Sequence, residues 1–352
     1  KLINKQIKSM ANITFKPKQS VKRLLSVLPE RAKDVIIKRY GLGTSTTKMT
    51  LDAIGKIYGI TRERVRQIEN YAIQNIRKSD AYKAEKAIFD ELEGLIHTLG
   101  GIVVEEDFLG SVSKDASLQN SVNFILVIGD SFKKRKEDEH FKHRLHVNEA
   151  VARQVEESLK KLYSSLTNED LLPESEMISK FISHLGEVSE KYKNQEVMKR
   201  WLSISKAIGK NAIGEWGVSH SPNVKTKGMR DYAFLVIRKH GSPIHFREVA
   251  KQITQVFKKK AHVATTHNEL IKDPRFVLVG RGLYALKEWG YMSGVVRDVI
   301  KKIIEKNGPL TKEEIIAKVL KERYVKDNTI MVNLQNQKHF KKDKDGKYSI
   351  VG

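Results

Sequence analysis

The chain has 352 residues, of which 40% are hydrophobic and 30% charged, a composition that favours a folded protein of several domains over a disordered one. It contains no cysteine, which excludes disulfides, cysteine-ligated zinc and thiol catalysis, and no apolar run reaches the roughly 18 residues of a membrane span. The net charge of +23 indicates a polyanionic partner, most simply nucleic acid.

The charge is distributed unevenly. Residues 1–80 carry 18 Lys/Arg against 6 Asp/Glu, a net charge of +12. Residues 81–220 carry 19 against 23, a net charge of −4, and residues 221–352 carry 28 against 13, a net charge of +15. The acidic middle is therefore better suited to a protein partner than to DNA, whereas both ends suit a polyanion.

The first 50 residues open with a basic, polar stretch. Residues 1–19 are expected to form a flexible arm. Ser20 is expected to cap a short helix that ends at Leu28, and Pro29 to start the next helix. The Gly/Thr/Ser-rich residues 41–48 predict a mobile loop.

Residues 50–78 predict a helix, a tight turn and a second helix. Thr50 and Thr61 are hydroxyl N-caps, and each precedes apolar residues at helical spacing. Gly59 accepts the left-handed conformation that ends a helix sharply. The apolar residues of the second helix are Val65, Ile68, Ala72, Ile73 and Ile76.

The first two turns of the second helix carry side chains that can read bases. Arg62, Glu63, Arg66 and Gln67 lie largely off its apolar face. Arginine pairs with guanine, glutamine with adenine, and glutamate accepts from the cytosine amino group. A recognition helix contacts base edges with such N-terminal residues. The same pattern also fits a solvated amphipathic helix with charge pairs.

The run T-R-E-R-V-R-Q-I-E from Thr61, with the upstream run from Leu28 to Leu42, resembles region four of the bacterial housekeeping sigma factors. The resemblance covers residues 20–79. It implies binding of the upstream (minus-thirty-five) promoter hexamer and contact with the β flap of RNA polymerase. By position, Arg62, Glu63, Arg66 and Gln67 would face bases. The residues expected on phosphates are Thr50, Thr61, Arg64 and Lys78. No aromatic-rich promoter-melting segment is found, so a complete sigma factor is not expected.

Beyond residue 79 a pattern repeats in which two helices flank a glycine-containing break, followed by a third helix and a hairpin. The three copies begin at Ala87, Tyr232 and Val296. Their hairpins are predicted at Phe132–Val147, Phe276–Leu286 and Phe340–Ile350. Three helices followed by a two-stranded hairpin is the winged-helix plan.

A fourth, degenerate copy is predicted over residues 149–218. Its helices are expected to run to Leu166, from Glu174 to Leu185 and from Met198 to Lys210. Residues 212–218 would form a single remaining strand.

Residues 230–291 resemble the HARE-HTH winged helix, a family that includes the amino-terminal domain of the polymerase δ subunit of Gram-positive bacteria. The likeness is carried by P-I-H-F-R-E-V-A from Pro243, T-H-N-E-L-I-K-D-P-R-F from Thr266 and G-L-Y-A-L from Gly282. It implies attachment to transcription or chromatin machinery through DNA or protein. Fusion of this unit to a sigma-like helix-turn-helix resembles the architecture of a group of bacterial proteins.

Further phosphate contacts are expected from the two C-terminal copies. In the first of them they would be made by Thr266, His267, Asn268, Lys272 and Arg281, at the third helix and the wing. A purely structural role of these residues, in capping and turns, is the alternative. In the last copy the wing is dense in lysine, and Lys341 and Lys347 are expected on phosphates.

No cofactor, metal site or catalytic centre is predicted. His140, His143 and His146 lie in a predicted strand with no carboxylate placed to complete a tetrahedral site. No Walker loop, G-x-G-x-x-G run or nucleophile elbow is present.

The sequence thus predicts a mainly α chain: a sigma-like helix-turn-helix followed by tandem winged helices with small hairpin wings. The predicted segments are an arm (1–19), the helix-turn-helix (20–79), a winged helix (80–148), a helical or degenerate copy (149–218), the HARE-like copy (219–291) and the last copy (292–352).

The expected function is sequence-directed binding of double-stranded DNA in transcription, with RNA polymerase as a partner, in the cytoplasm and at the nucleoid. No membrane or small-molecule partner is expected. A polymerase-independent repressor or architectural protein, and a protein-binding adaptor, are the alternatives.

Overall fold

The computed structural model describes residues 13–186 and 190–351. These residues fall into two compact units, one formed by residues up to 167 with 172–209, the other by 168–171 with residues from 210 onward. The fold is mainly helical with small antiparallel sheets, as predicted. Among the described residues no helix is long and apolar enough to cross a bilayer.

The described part of the chain begins with five helices, of which the third and fourth form the helix-turn-helix. They are α1 (Pro17–Leu25), α2 (Glu30–Tyr40), α3 (Leu51–Tyr58), α4 (Arg62–Lys78) and α5 (Asp80–Ala84). The expected cap at Ser20 is wrong. Pro17 starts α1 because its fixed φ suits the first helical position, and Ser20 is buried with its hydroxyl donating to the carbonyl of Lys16.

Residues 13–19, predicted to belong to a flexible arm, are docked in the structure. Residues 1–12 lie outside the described residues. Thr14 is held by Glu91, whose carboxylate accepts from both its amide nitrogen and its hydroxyl at 2.6 Å. Ile13 and Phe15 pack against the core of this unit. The chain is therefore docked from residue 13, because its apolar side chains have a core to enter.

The first winged helix has three helices and a three-stranded sheet. Its elements are α6 (Lys86–Thr98), β1 (Ile102–Val104), α7 (Glu105–Val112), α8 (Ala116–Ile128), β2 (Lys133–Arg135) and β3 (Arg144–His146). The strand order is β1-β3-β2, and both pairs are antiparallel, with Leu145 opposite Val103 on one side and Lys134 on the other. The predicted hairpin is confirmed.

One apolar core joins the helix-turn-helix to this winged helix. Leu24 and Ile36 from the first helices, Ile76 from α4, and Phe124 and Ile125 from α8 belong to a single buried cluster. Each of these side chains is at most 1% exposed. Burial on this scale contributes about 1.5–3 kcal/mol for each large apolar side chain, so the two segments stabilise each other.

Residues 149–218 depart from their prediction at the third helix and at the single strand expected over residues 212–218, in place of which two paired strands occur. The helices are α9 (Glu149–Ser164), α10 (Glu174–His184) and α11 (Gln195–Ile204), and the strands β4 (Ile208–Lys210) and β5 (Trp216–Val218) follow. The third helix ends at Ile204, six residues before the predicted end. Ser205 turns the chain there, because its hydroxyl accepts from the amides of Ala207 and Ile208.

The second winged helix repeats the order of the first. Its elements are α12 (Met229–His240), β6 (Ile244–His245), α13 (Phe246–Phe257), α14 (Val263–Lys272), β7 (Phe276–Leu278) and β8 (Leu283–Leu286). The strand order is β6-β8-β7, and both pairs are antiparallel. Gly241, with φ of 76°, ends α12 in the left-handed conformation.

The last winged helix contains α15 (Val296–Asn307), α16 (Lys312–Glu322), α17 (Asp327–Leu334), β9 (Phe340–Lys342) and β10 (Tyr348–Ile350). Thr311 and Glu314 form a capping box at the start of α16. The amide of Tyr324 donates to the carbonyl of Val279 at 2.6 Å, which joins this winged helix to the preceding wing. The limits proposed for the six segments of the chain remain predictions.

Candidate nucleic-acid interface

The helix-turn-helix depends on local capping and on one glycine. The hydroxyls of Thr50 and Thr61 accept from the amides three residues ahead at 3.2 Å, so both are N-caps. Gly59 ends α3 with φ of 64°. At Gly55 a Cβ atom would lie 2.6 Å from the carbonyl oxygen of Ile60, so only glycine allows the turn to approach α3 this closely.

A small core fixes the angle between the two helices. Val35, Ile54 and Val65 are fully buried and pack together, one from each of α2, α3 and α4. Half-buried apolar residues around them include Leu51 and Ile68. The inner face of α4 is therefore buried in this core, and its opposite face is directed to solvent.

The four predicted base-reading residues are all exposed on the first two turns of α4. Arg66 donates to both carboxylate oxygens of Glu63, at 2.9 and 2.6 Å. This bidentate bond lowers the pKa of Glu63 and raises that of Arg66. Arg62 and Gln67 complete the set. The structure thus brings two cations, an amide and a carboxylate to one exposed surface.

Arg64 and Gln67 are linked on the same turns. The guanidinium of Arg64 donates to the side-chain oxygen of Gln67 at 2.9 Å. Because that bond uses the oxygen of Gln67, its two amide hydrogens can still be donated to another acceptor. Arg64, predicted to face phosphate, therefore also orients a predicted base reader.

The other predicted phosphate-binding residues of this segment lie at two separate places. Thr50 and Thr61 are exposed at the N-termini of α3 and α4, and their hydroxyls accept as caps while keeping a hydrogen to donate. Lys78 is exposed at the last residue of α4. Sixteen residues beyond Arg62, it lies roughly 24 Å away along the helix. It is therefore not brought together with the other residues.

Behind the exposed face, α4 is anchored by a polar contact. Glu69 is 9% exposed and accepts from the hydroxyl of Tyr40 at 2.7 Å, and Arg39 lies 3.4 Å from the same oxygen. Burial, together with the neighbouring carboxylate, raises the pKa of Tyr40, so the phenol stays protonated as a donor. Arg39 also donates to the carbonyl of Met49 just before α3. No local pattern of residues indicates this network.

The loop before α3, predicted to be mobile over residues 41–48, is anchored at two of its carbonyls. The side-chain amide of Asn120 donates to the carbonyls of Gly41 and Thr46, at 3.0 and 2.9 Å. Asn120 is only 6% exposed and comes from α8. Its contact over such a sequence separation could not be foreseen from the loop's composition.

Helix α8 occupies the third-helix position of the first winged helix, where others read DNA. Here most of its length is buried, including Val122, Phe124, Ile125 and Leu126 at 0% exposure. It packs against α1, α2 and α4. A helix covered in this way is not free to enter a groove, and α8 instead packs this winged helix against the region that contains the helix-turn-helix.

In the second winged helix one predicted phosphate contact is wrong. Thr266 is fully buried, and its hydroxyl donates to the carbonyl of His262. His267 is half-buried and stacks on Phe246 with ring centroids 4.1 Å apart. The remaining predicted residues, all exposed, are Asn268, Lys272 and Arg281.

In the last winged helix Lys341 and Lys347 are exposed on and beside the wing strands. The amide of Lys347 donates to the carboxylate of Asp343 at 2.8 Å, which shapes the turn between β9 and β10. Gly346 supports that turn with φ of 82°. The turn leaves both ammonium groups directed to solvent.

The three histidines considered as metal ligands are separated by the fold. His146 is buried and lies 3.3 Å from Glu149, whereas His140 and His143 are exposed. His143 faces Glu137. Across residues 13–186 and 190–351 no group of three His, Asp or Glu side chains is arranged to hold a metal ion.

Residues 24–78 match the model of the family described as Sigma-70, region 4. The RNA polymerase sigma factor SigA of a Bacillus species is 39% identical over 69 residues, which cover 20% of this chain and 18% of that protein. The RNA polymerase sigma factor RpoS of Coxiella burnetii is 49% identical over 57 residues, 16% of each chain. The chain thus spans less than a fifth of the length of these curated relatives.

Residues 24–78 are therefore a sigma-70 region 4 domain, with its helix-turn-helix at α3 and α4. The resemblance to sigma region four is confirmed for this segment. The HARE-HTH resemblance of residues 230–291 stays a prediction.

Proposed function

We propose that the chain binds double-stranded DNA in a sequence-directed manner in transcription, reading an upstream promoter hexamer with the N-terminal turns of α4. The observation that carries this proposal is the exposed set Arg62, Glu63, Arg66 and Gln67 on a region 4 domain. These side chains offer a donor or acceptor to guanine, adenine and cytosine edges in the major groove. Arg64, Thr50 and Thr61 would position the helix on phosphates.

RNA polymerase is the proposed protein partner. The support is that RNA polymerase sigma factors are similar to a segment of this chain and that the region 4 model matches residues 24–78. Contact with the β flap is the finer form of this proposal. A HARE-like character of residues 230–291 would add a second attachment to the transcription machinery.

A DNA-binding role independent of polymerase is the second candidate, and one observation favours it. The apolar faces of α1, α2 and α4 are already covered by α8 of the same chain. A partner protein would have to dock on the remaining polar surface of the region 4 domain. An adaptor function without base reading is the third candidate, and it predicts little sequence preference.

Fluorescence anisotropy with two duplexes tests the proposal. One duplex carries the consensus upstream promoter hexamer and the other a scrambled hexamer of equal composition. The proposal predicts that the hexamer binds more than about tenfold more tightly, equivalent to about 1.4 kcal/mol. Equal affinity for both duplexes would reject base reading and leave the adaptor function.

Polymerase contact is tested separately by retention of purified core polymerase on the immobilised full chain. The β flap segment is added in excess as a competitor. Retention that the flap abolishes supports the sigma-like function. Hexamer preference without retention supports the polymerase-independent function.

A further inference from the structure

Several basic side chains of the last winged helix have no acidic partner. Across residues 13–186 and 190–351 no ion pair is formed by Lys301, Lys338, Lys341 or Lys344. In the acidic middle of the chain, by contrast, Lys134 pairs with Glu105 at 2.7 Å. The positive charge of the C-terminal third is therefore left uncompensated at these positions.

Helix α15 and the segment that leads into β9 bring basic side chains to one surface. Arg297 and Lys301 lie one turn apart on the same face of α15. The guanidinium of Arg297 is 3.3 Å from Nε2 of His339, which places this face beside Lys338 and the start of β9. The cluster therefore has a contribution from a helix and a contribution from the base of the wing.

The electrostatic field at this place is positive. The pKa of His339 is lowered by partial burial, and further by Lys301, Arg297 and Lys338, while Asp298 opposes them. Like charges held together this closely disfavour the folded state. A bound polyanion would remove that repulsion and release the counterions that otherwise accompany it.

The wing extends the same positive surface. β9 and β10 pair with Lys341 opposite Ser349, and Lys341 and Lys344 are exposed on the strand and in the turn. Asp343 and Asp345 flank Lys344, but Asp343 accepts from a backbone amide and so acts in shaping the turn. Lysine serves here as a flexible point charge that suits phosphate rather than a base edge.

The third helix of this winged helix is a poor reader of bases. α17 has only 8 residues and carries the exposed carboxylate of Asp327 in its first turn. Val332 is 61% exposed on it, and the side-chain oxygen of Asn336 accepts from the amide of Lys338. The side-chain amide of Asn333 donates to the carbonyl of Thr329 at 2.7 Å, so both asparagine side chains are already engaged within the protein.

We propose that Arg297, Lys301, Lys338, Lys341 and Lys344 form a C-terminal basic patch that binds the phosphate backbone of duplex DNA without reading its sequence. This inference rests on the proposed function, in which α4 supplies the sequence preference. The patch and α4 belong to different compact units.

The experiment uses the full chain and a variant in which Lys301, Lys338, Lys341 and Lys344 are all changed to glutamine. Binding of the scrambled duplex is measured over a salt series. The slope of log K against log salt is expected to fall by about 0.9 for each phosphate that the variant no longer neutralises, or by about 3–4 in total. The affinity ratio between hexamer and scrambled duplex should stay unchanged.

Two controls keep the result specific. Changing the same four lysines to arginine should preserve the slope, because the charge is kept. Changing Lys86, Lys114, Lys136 and Lys161, which are exposed in the acidic middle, to glutamine should alter the slope by less than about 1. Thermal unfolding confirms that each variant is folded.

If the four glutamine substitutions leave the salt slope unchanged, the proposed basic patch is contradicted. An equal change of slope in the acidic-middle control would contradict it as well. Neither outcome bears on base reading by α4, which is contradicted if the parent chain binds both duplexes alike. The two proposals therefore fail separately.

Discussion

The side-chain amide of Asn120 donates to the backbone carbonyl of Thr46 across 2.9 Å, although 74 residues separate the two along the chain. The same nitrogen reaches the carbonyl of Gly41 at 3.0 Å. A winged helix thus fixes the loop that leads into the helix-turn-helix. The position of the N-terminus of α3 depends on a residue outside the region 4 domain.

Asn120→Ala is expected to destabilise the chain by about 1–3 kcal/mol, because two loop carbonyls lose a buried donor. DNA affinity should fall as well, since the cap at Thr50 follows the freed loop. Urea unfolding and hexamer anisotropy measure the two effects. Gln119→Ala is the matched control on the same helix and removes a bond to Ser113 only. If both variants bind DNA like the parent, the loop needs no such anchor.

Alanine substitutions at three glycines distinguish the cost of a steric clash from the cost of a positive φ. Gly55→Ala should cost more than about 2 kcal/mol and abolish hexamer preference, because its Cβ would collide with the carbonyl of Ile60. Gly59→Ala meets no atom and should cost only about 1–2 kcal/mol, for its positive φ. Gly94→Ala, in open space within α6, should be neutral or stabilising by up to about 1 kcal/mol. Equal losses of stability at Gly55 and Gly94 in denaturant unfolding would contradict this order.

Tyr40→Phe tests the anchor behind α4. Glu69 loses the hydroxyl donor at 2.7 Å and keeps only Arg39, so a loss of about 1.5–3 kcal/mol is expected. Tyr71→Phe, at a position 53% exposed on α4, is the control and should change stability by less than about 0.5 kcal/mol. Urea unfolding at neutral pH gives both values. Indistinguishable midpoints for the two variants would show that the bond adds nothing.

The pH dependence of DNA binding reports on the C-terminal basic patch. The folded pKa of His339 lies below its unfolded value, so the unfolded chain binds more protons in that window and stability falls as pH falls. A bound phosphate favours the protonated ring. Affinity for scrambled duplex should therefore rise as pH falls through and below about 6.5.

Anisotropy at about pH 7.5 and about pH 5.5, on either side of the ordinary histidine pKa, measures this rise in the parent chain and in His339→Asn. The variant should lose part of the pH dependence, whereas His240→Asn, at an exposed histidine on α12, should keep all of it. Unchanged pH dependence in His339→Asn would show that protonation of this histidine does not contribute to DNA binding.

The helix-turn-helix is predictable because its signals are local. Thr50, Gly59 and Thr61 act as caps through residues within a few positions of them, and both caps and the left-handed glycine are present in the structure. Three of the hairpins are predictable for the same reason, since turn residues and alternation are local as well.

The features that escape prediction all depend on contacts between distant segments. Thr266 has the pattern of an exposed helix residue, yet packing within its own winged helix buries it completely. Helix α8 has the position of a reader, but its apolar face is wide enough to be covered on several sides. Asn120 cannot be singled out, because one buried amide resembles any surface asparagine in a sequence. Burial of this kind is set by tertiary packing rather than by local pattern.

Base reading by α4 is tested most directly with hexamer duplexes in which each base pair is substituted in turn. They are titrated with the parent chain, Arg66→Ala and Gln67→Ala. Each variant is expected to lose about 1–3 kcal/mol on the parent hexamer and to become indifferent to substitution at one base pair. If the parent binds every duplex alike, sequence-directed binding is contradicted, and if both variants weaken all duplexes equally, Arg66 and Gln67 contact only phosphates.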